Sequence, residues 1–206
     1  MNTDQRKDHW NTIYSTKSLN EVSWYQPTPQ SSLDLIRNTN CKKTDKIIDI
    51  GGGDSFLVDH LLDNGFTNIS VLDISEKAIL KAKNRLGDRA NLVTWIVADI
   101  AKFTPIETYN IWHDRAAFHF LTQENDIKNY KNAFTNGIKQ GGTLILGTFS
   151  ENGPLKCSGI PIKQYSSAML HTLVSPEFKQ EETFSINHTT PSSSTQNFTF
   201  GRFSKL

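Results

Sequence analysis

The stretch Lys46-Ile47-Ile48-Asp49-Ile50-Gly51-Gly52-Gly53-Asp54-Ser55-Phe56 starts as a β-branched run and ends it on three glycines. It then leads into Leu57, Leu61 and Leu62 at helical spacing. That order predicts a strand, a tight turn and a helix, the arrangement with which α/β proteins hold nucleotides. Glycine at such a turn lets backbone approach a ligand closely. A dinucleotide fingerprint needs another glycine at position 56, beside the pyrophosphate, where this chain has Phe56. Asp49 argues the same way. A carboxylate at the strand tip repels a pyrophosphate and welcomes a ligand bearing an ammonium group, which disfavours a nicotinamide oxidoreductase.

Outward from this turn the same rhythm repeats. Asn68–Leu72, Leu92–Val97, Tyr109–Trp112 and Thr143–Phe149 read as strands, and Ser55–Asn64, Glu76–Leu86 and Asn125–Lys139 as helices. Alternation of this kind predicts a parallel sheet. Thr183–Ile186 and Asn197–Phe203, separated by a Pro/Ser-rich loop, read as a closing hairpin. The chain is expected to form one domain over residues 1–206, with a core over 45–206 and an aromatic arm over 1–40 holding Trp10, Tyr14, Trp24 and Tyr25. A net charge of +1 lacks the footprint of a nucleic-acid binder, so no nucleic-acid partner is expected. No apolar run suits a membrane span, and the polar opening does not read as a signal peptide, so a cytoplasmic location is expected. Cys41 and Cys157 are too few and too far apart for a disulfide framework or a metal site.

With these strands placed, the chain resembles the class I S-adenosylmethionine-dependent methyltransferases, whose first motif is an acid followed by a glycine-rich turn. Asp49, Gly51, Gly52 and Gly53 carry that motif, with Ser55 where a further glycine is often found. Asp73-Ile74, after the second strand, resembles the ribose-binding element, and Ala98-Asp99-Ile100, after the third, resembles the adenine-binding element. Asp114-Arg115-Ala116-Ala117-Phe118-His119-Phe120-Leu121 is similar to a segment of small bacterial-type members. So are Val22–Gln26, Gly153–Gly159 and His188–Pro191, which extends the likeness over nearly the whole chain. The resemblance implies a Rossmann-like, mostly parallel seven-stranded sheet with an antiparallel C-terminal hairpin, helices on both faces, and S-adenosylmethionine as cofactor.

Ligands in open α/β sheets lie beyond the carboxyl ends of the strands, so residues after the fourth strand should face the transferred methyl group. Asp114, His113 and His119 are the candidates for handling a proton, although His119 sits between two phenylalanines like a core residue. His113, Tyr14 and Trp24 join the cofactor set. Tyr25, Arg115 and Cys157 are assigned to the substrate side, with no metal. The acceptor is expected to be a small molecule. A protein lysine and a non-catalytic cofactor-binding module are the alternatives. The Asn/Asp-Pro-Pro-aromatic motif of base and glutamine methyltransferases is absent from the fourth strand's end.

Overall fold

A computed structural model describes residues 1–206. Its seven-stranded sheet has the spatial order β3-β2-β1-β4-β5-β9-β8. The strands are β1 (Ile47–Ile50), β2 (Ile69–Asp73), β3 (Val93–Val97), β4 (Tyr109–Arg115), β5 (Ile138–Phe149), β8 (Phe178–Thr189) and β9 (Thr195–Lys205). β1 to β5 run parallel, and β9 pairs antiparallel with both β5 and β8. A two-stranded ribbon, β6 (Lys156–Cys157) with β7 (Ile160–Pro161), lies in the loop that follows β5.

Every residue of β1 and β2 is buried, because helices cover both faces of the central strands. On one face Leu35 and Ile36 of α2 (Gln30–Arg37) and Leu57, Val58 and Leu61 of α3 (Leu57–Asp63) pack on Ile47, Ile111 and Ile145. Leu86, at the end of α4 (Glu76–Leu86), joins that cluster. On the other, Tyr130, Ala133 and Phe134 of α5 (Glu124–Gly137) and Leu170 and Val174 of α6 (Ser167–Val174) pack on Ile48, Trp112 and Leu144. α1 (Thr3–Thr16) buries only Tyr14 and crosses the carboxyl ends of the strands.

Two expectations are corrected. α5 stops at Gly137 and β5 starts at once, two residues earlier than the helix was expected to end; Gly141, at φ +71°, sits in an irregular stretch of that strand where register shifts. The closing hairpin is longer than its apolar residues indicated, since Lys179, Glu181 and Glu182 lie on an edge strand where polar side chains reach solvent. The arm, to which the sequence reading assigned no secondary structure, holds two helices: α1 meets the body through few apolar residues, whereas α2 buries Leu35 and Ile36.

Candidate functional site

The glycine turn after β1 is shaped by contact. Gly51 and Gly53 have φ of +65° and +42°, a region that side chains other than glycine rarely adopt. A Cβ on Gly51 would stand 2.5 Å from the Cβ of Ala117, one on Gly52 2.5 Å from Asp49 Oδ2, and one on Gly53 2.7 Å from Asp73 Oδ2. The three glycines therefore keep backbone tight against the acids of β1 and β2 and against the loop after β4. Ser55, in place of a further glycine, accepts the Leu57 N–H and starts α3.

Parallel register sets Asp49 beside His113. Their contact is 2.7 Å from His113 Nδ1 to Asp49 Oδ1, and His113 Nε2 lies 2.8 Å from Ser32 Oγ on α2. A carboxylate only accepts, so Nδ1 carries a proton. Both ring nitrogens are engaged, which makes His113 a holder of Asp49. Asp73 Oδ1 accepts the Ser75 N–H at 2.7 Å, and burial raises its carboxyl to about 7. Asp99 Oδ1 accepts the Ala101 N–H, and its Oδ2 accepts from the Thr3 hydroxyl and from Arg6, whose other arm donates to Asp126 at 2.7 Å.

Strand alternation separates the residues of β4. His113 and Arg115 face α2 and the arm; Trp112 and Asp114 face α5. Arg115 donates to Gln26 Oε1 at 2.6 Å and to the Trp24 carbonyl at 2.5 Å, with no carboxylate partner. Burial lowers its pKa to about 10, which leaves it cationic at neutral pH. Asp114 is fully buried, accepting from Ala117 and Phe118 N–H at 3.1 Å and from the Tyr130 hydroxyl at 2.6 Å. Its position on the face opposite Arg115 follows from the two-residue repeat of a strand. The expectation that Asp114 meets the transferred group is corrected by this placement. His119 is corrected likewise. It stacks on Phe149 at 4.5 Å, accepts that residue's N–H at Nδ1, and burial lowers its pKa to about 3, so it stays neutral.

One cleft runs along the carboxyl edge of the sheet. Gly51, Asp73, Ile74, Asp99 and Ile100 line one end; Trp10, Phe120, Phe149, Cys157, Gln196 and Phe198 line the other, with Tyr14, Trp24 and Arg115 between them. A smaller hollow holds Asp49, Gly52, Ser32 and His113, again with Tyr14, Trp24 and Arg115. Of the residues singled out in the sequence, Tyr25 lies apart from the main cavity, edge-on to Phe56 at 6.1 Å. Phe120 lies in the segment from Asp114 to Leu121 that carries the resemblance; Arg6, Gln196 and Phe198 were missed. Nothing local marks them, because each reaches the cavity through tertiary contact.

Residues 48–144 match the family described as Methyltransferase domain. The chain is 26% identical over 151 residues, 72% of its length, to malonyl-[acyl-carrier protein] O-methyltransferase 2 of Ilyobacter polytropus. It spans about half the length of the curated relatives it matches, 56% and 53% of the first two. Among solved structures, N-methyltransferase NodS of Bradyrhizobium japonicum with S-adenosyl-L-homocysteine superposes with a TM-score of 0.73 at 15% identity, covering 96% of this chain and 99% of that one. A methyltransferase of Anabaena variabilis gives 0.76 at 15% identity, covering 100% and 96%. The chain thus carries a stretch that matches a methyltransferase domain, and its strand order is that of the fold shared by these methyltransferase structures. No helix is long and apolar enough to cross a membrane.

Proposed function

We propose that this protein transfers a methyl group from S-adenosylmethionine to a small-molecule acceptor. The observation that carries this reading is the cradle at the sheet edge, where three glycines are held tight against Asp49, Asp73 and Ala117 around one continuous cavity. The residues present suit the cofactor. Asp73 Oδ2, directed at the Gly53 backbone, takes the ribose hydroxyls, and Ile74 and Ile100 flank the adenine. Asp49 and Arg115 offer opposite charges across the smaller hollow, matching the ammonium and carboxylate of the amino-acid end. Arg115 thus moves from the substrate side to the cofactor side. Asp99, with its oxygens taken by Ala101, Thr3 and Arg6, serves mainly to tie α1 to the site.

The cofactor supplies a methyl group made electrophilic by its sulfonium. The chain's own residues align the nucleophile and keep water out, which is the larger part of such a displacement. Trp10, Trp24 and Phe120 pack edge to face on one another and line the cavity, and aromatic rings favour a nearby cation. Two free thiols fit a cytoplasmic setting. Calorimetry with S-adenosylmethionine and S-adenosylhomocysteine tests the proposal: both should bind 1:1, and binding of neither would overturn it.

A further inference from the structure

Beyond Arg115 the cavity changes character. Trp10, Trp24, Phe120, Phe149 and Phe198 wall it, and no carboxylate or imidazole lines it outside the cofactor end. Gln196 is only 9% exposed, and its side-chain Oε1 is buried without a hydrogen-bond partner. On β9 it shares a face with Phe198, two residues on, and both line the cavity. A buried carbonyl oxygen left unpaired is costly, and one placed at the wall of a binding cavity is satisfied by what binds there.

We propose that this half of the cavity receives an uncharged arylalkyl amine, whose N–H is taken by Gln196 Oε1; the inference rests on the cofactor reading above. Three steps lead there. The unpartnered oxygen asks for a hydrogen-bond donor, and the ring walls ask for a flat, apolar body. A wall whose one titratable group is Cys157, held as a thiol by burial, disfavours an alcohol, which attacks only as its proton is removed, but admits an amine, which has a free lone pair. The nitrogen lone pair forms the N–CH₃ bond as the S–CH₃ bond breaks, its electron pair staying on sulfur. The resulting ammonium then releases one proton to water. Gln196 Oε1, holding a second N–H, turns the lone pair toward the methyl group and stabilises the charge that grows on nitrogen.

Radiolabelled methyl transfer to benzylamine, 2-phenylethylamine and tryptamine, beside the alcohols and carboxylates of the same ring bodies, tests this. Transfer should be confined to the amines, and the rate should climb with pH as their free-base fraction grows. Gln196→Leu should raise KM for the amine by about tenfold or more while leaving S-adenosylhomocysteine affinity nearly unchanged. Gln196→Glu retains an acceptor and adds charge, so it should keep amine transfer and favour the protonated amine, moving the KM profile to lower pH. Preference for the alcohols or carboxylates, no transfer to any amine while S-adenosylhomocysteine binds, or an unchanged KM in Gln196→Leu would overturn the proposal. Absence of S-adenosylhomocysteine binding would overturn the cofactor reading and this inference together.

Discussion

Arg115 gives two of its donors to neutral oxygens, Trp24 O and Gln26 Oε1, and keeps its charge without an ion-pair partner. A carboxylate from a ligand is the natural complement, since charge-assisted hydrogen bonds contribute about 1.5–3 kcal/mol. Arg115→Met should therefore weaken S-adenosylhomocysteine by roughly 10- to 100-fold and leave 5′-methylthioadenosine, which has no amino-acid end, unaffected. Equal losses for both ligands would place Arg115 outside the carboxylate subsite. Asp73 sets a pH dependence. With its native carboxyl raised to about 7, its contribution to unliganded stability is fully present below the ordinary carboxylate range and is lost as pH rises toward 7. Ribose hydroxyls donate to the ionised form, so cofactor affinity should increase as pH rises through about 7. In Asp73→Asn that increase should vanish in calorimetry from pH 6 to 8. Asp49, Asp73 and Asp99 were legible because each stands at the end of a strand that the sequence marks by itself. Arg6 and Gln196 were not, because their neighbours in the chain differ from their neighbours in space.

At the scale of elements, α1 is fastened to the body by polar contacts around the site: Arg6 to Asp99 and Asp126, Lys7 to Glu76, and Asn11 Oδ1 to the Ser75 hydroxyl. Of its side chains only Tyr14 is buried, so the helix adds little to the two hydrophobic clusters on the sheet. Removing residues 1–20 should reduce methyl transfer and cofactor affinity while leaving a cooperative thermal transition, read by circular dichroism. Full activity in the truncated protein would show that α1 does not cover the site. The aromatic residues of the arm were visible in the sequence, but α1 was not. Helical periodicity shows itself through a broad apolar stripe, and α1 lacks one.

Across the whole molecule, β4 divides its work between the faces of the sheet. Asp114, Tyr130 and Trp112 form a buried chain of hydrogen bonds under α5, with Trp112 Nε1 donating to Tyr130 Oη at 3.0 Å and Tyr130 donating in turn to Asp114. Asp114→Ala strands those donors in the core and should lower unfolding free energy by about 2–4 kcal/mol, from two or more unsatisfied groups. S-adenosylhomocysteine affinity measured well below the melting temperature should change little. A loss of turnover of about 100-fold without loss of stability would return Asp114 to the chemistry. The sequence by itself determined the strand–turn–helix rhythm, the parallel core and the acids at the strand ends, because strand periodicity and glycine turns are local properties. Which residues of His113-Asp114-Arg115 meet the cavity was decided only by the tertiary structure. A strand turns successive side chains to opposite faces, and only packing against α2 and α5 shows which face holds the ligand.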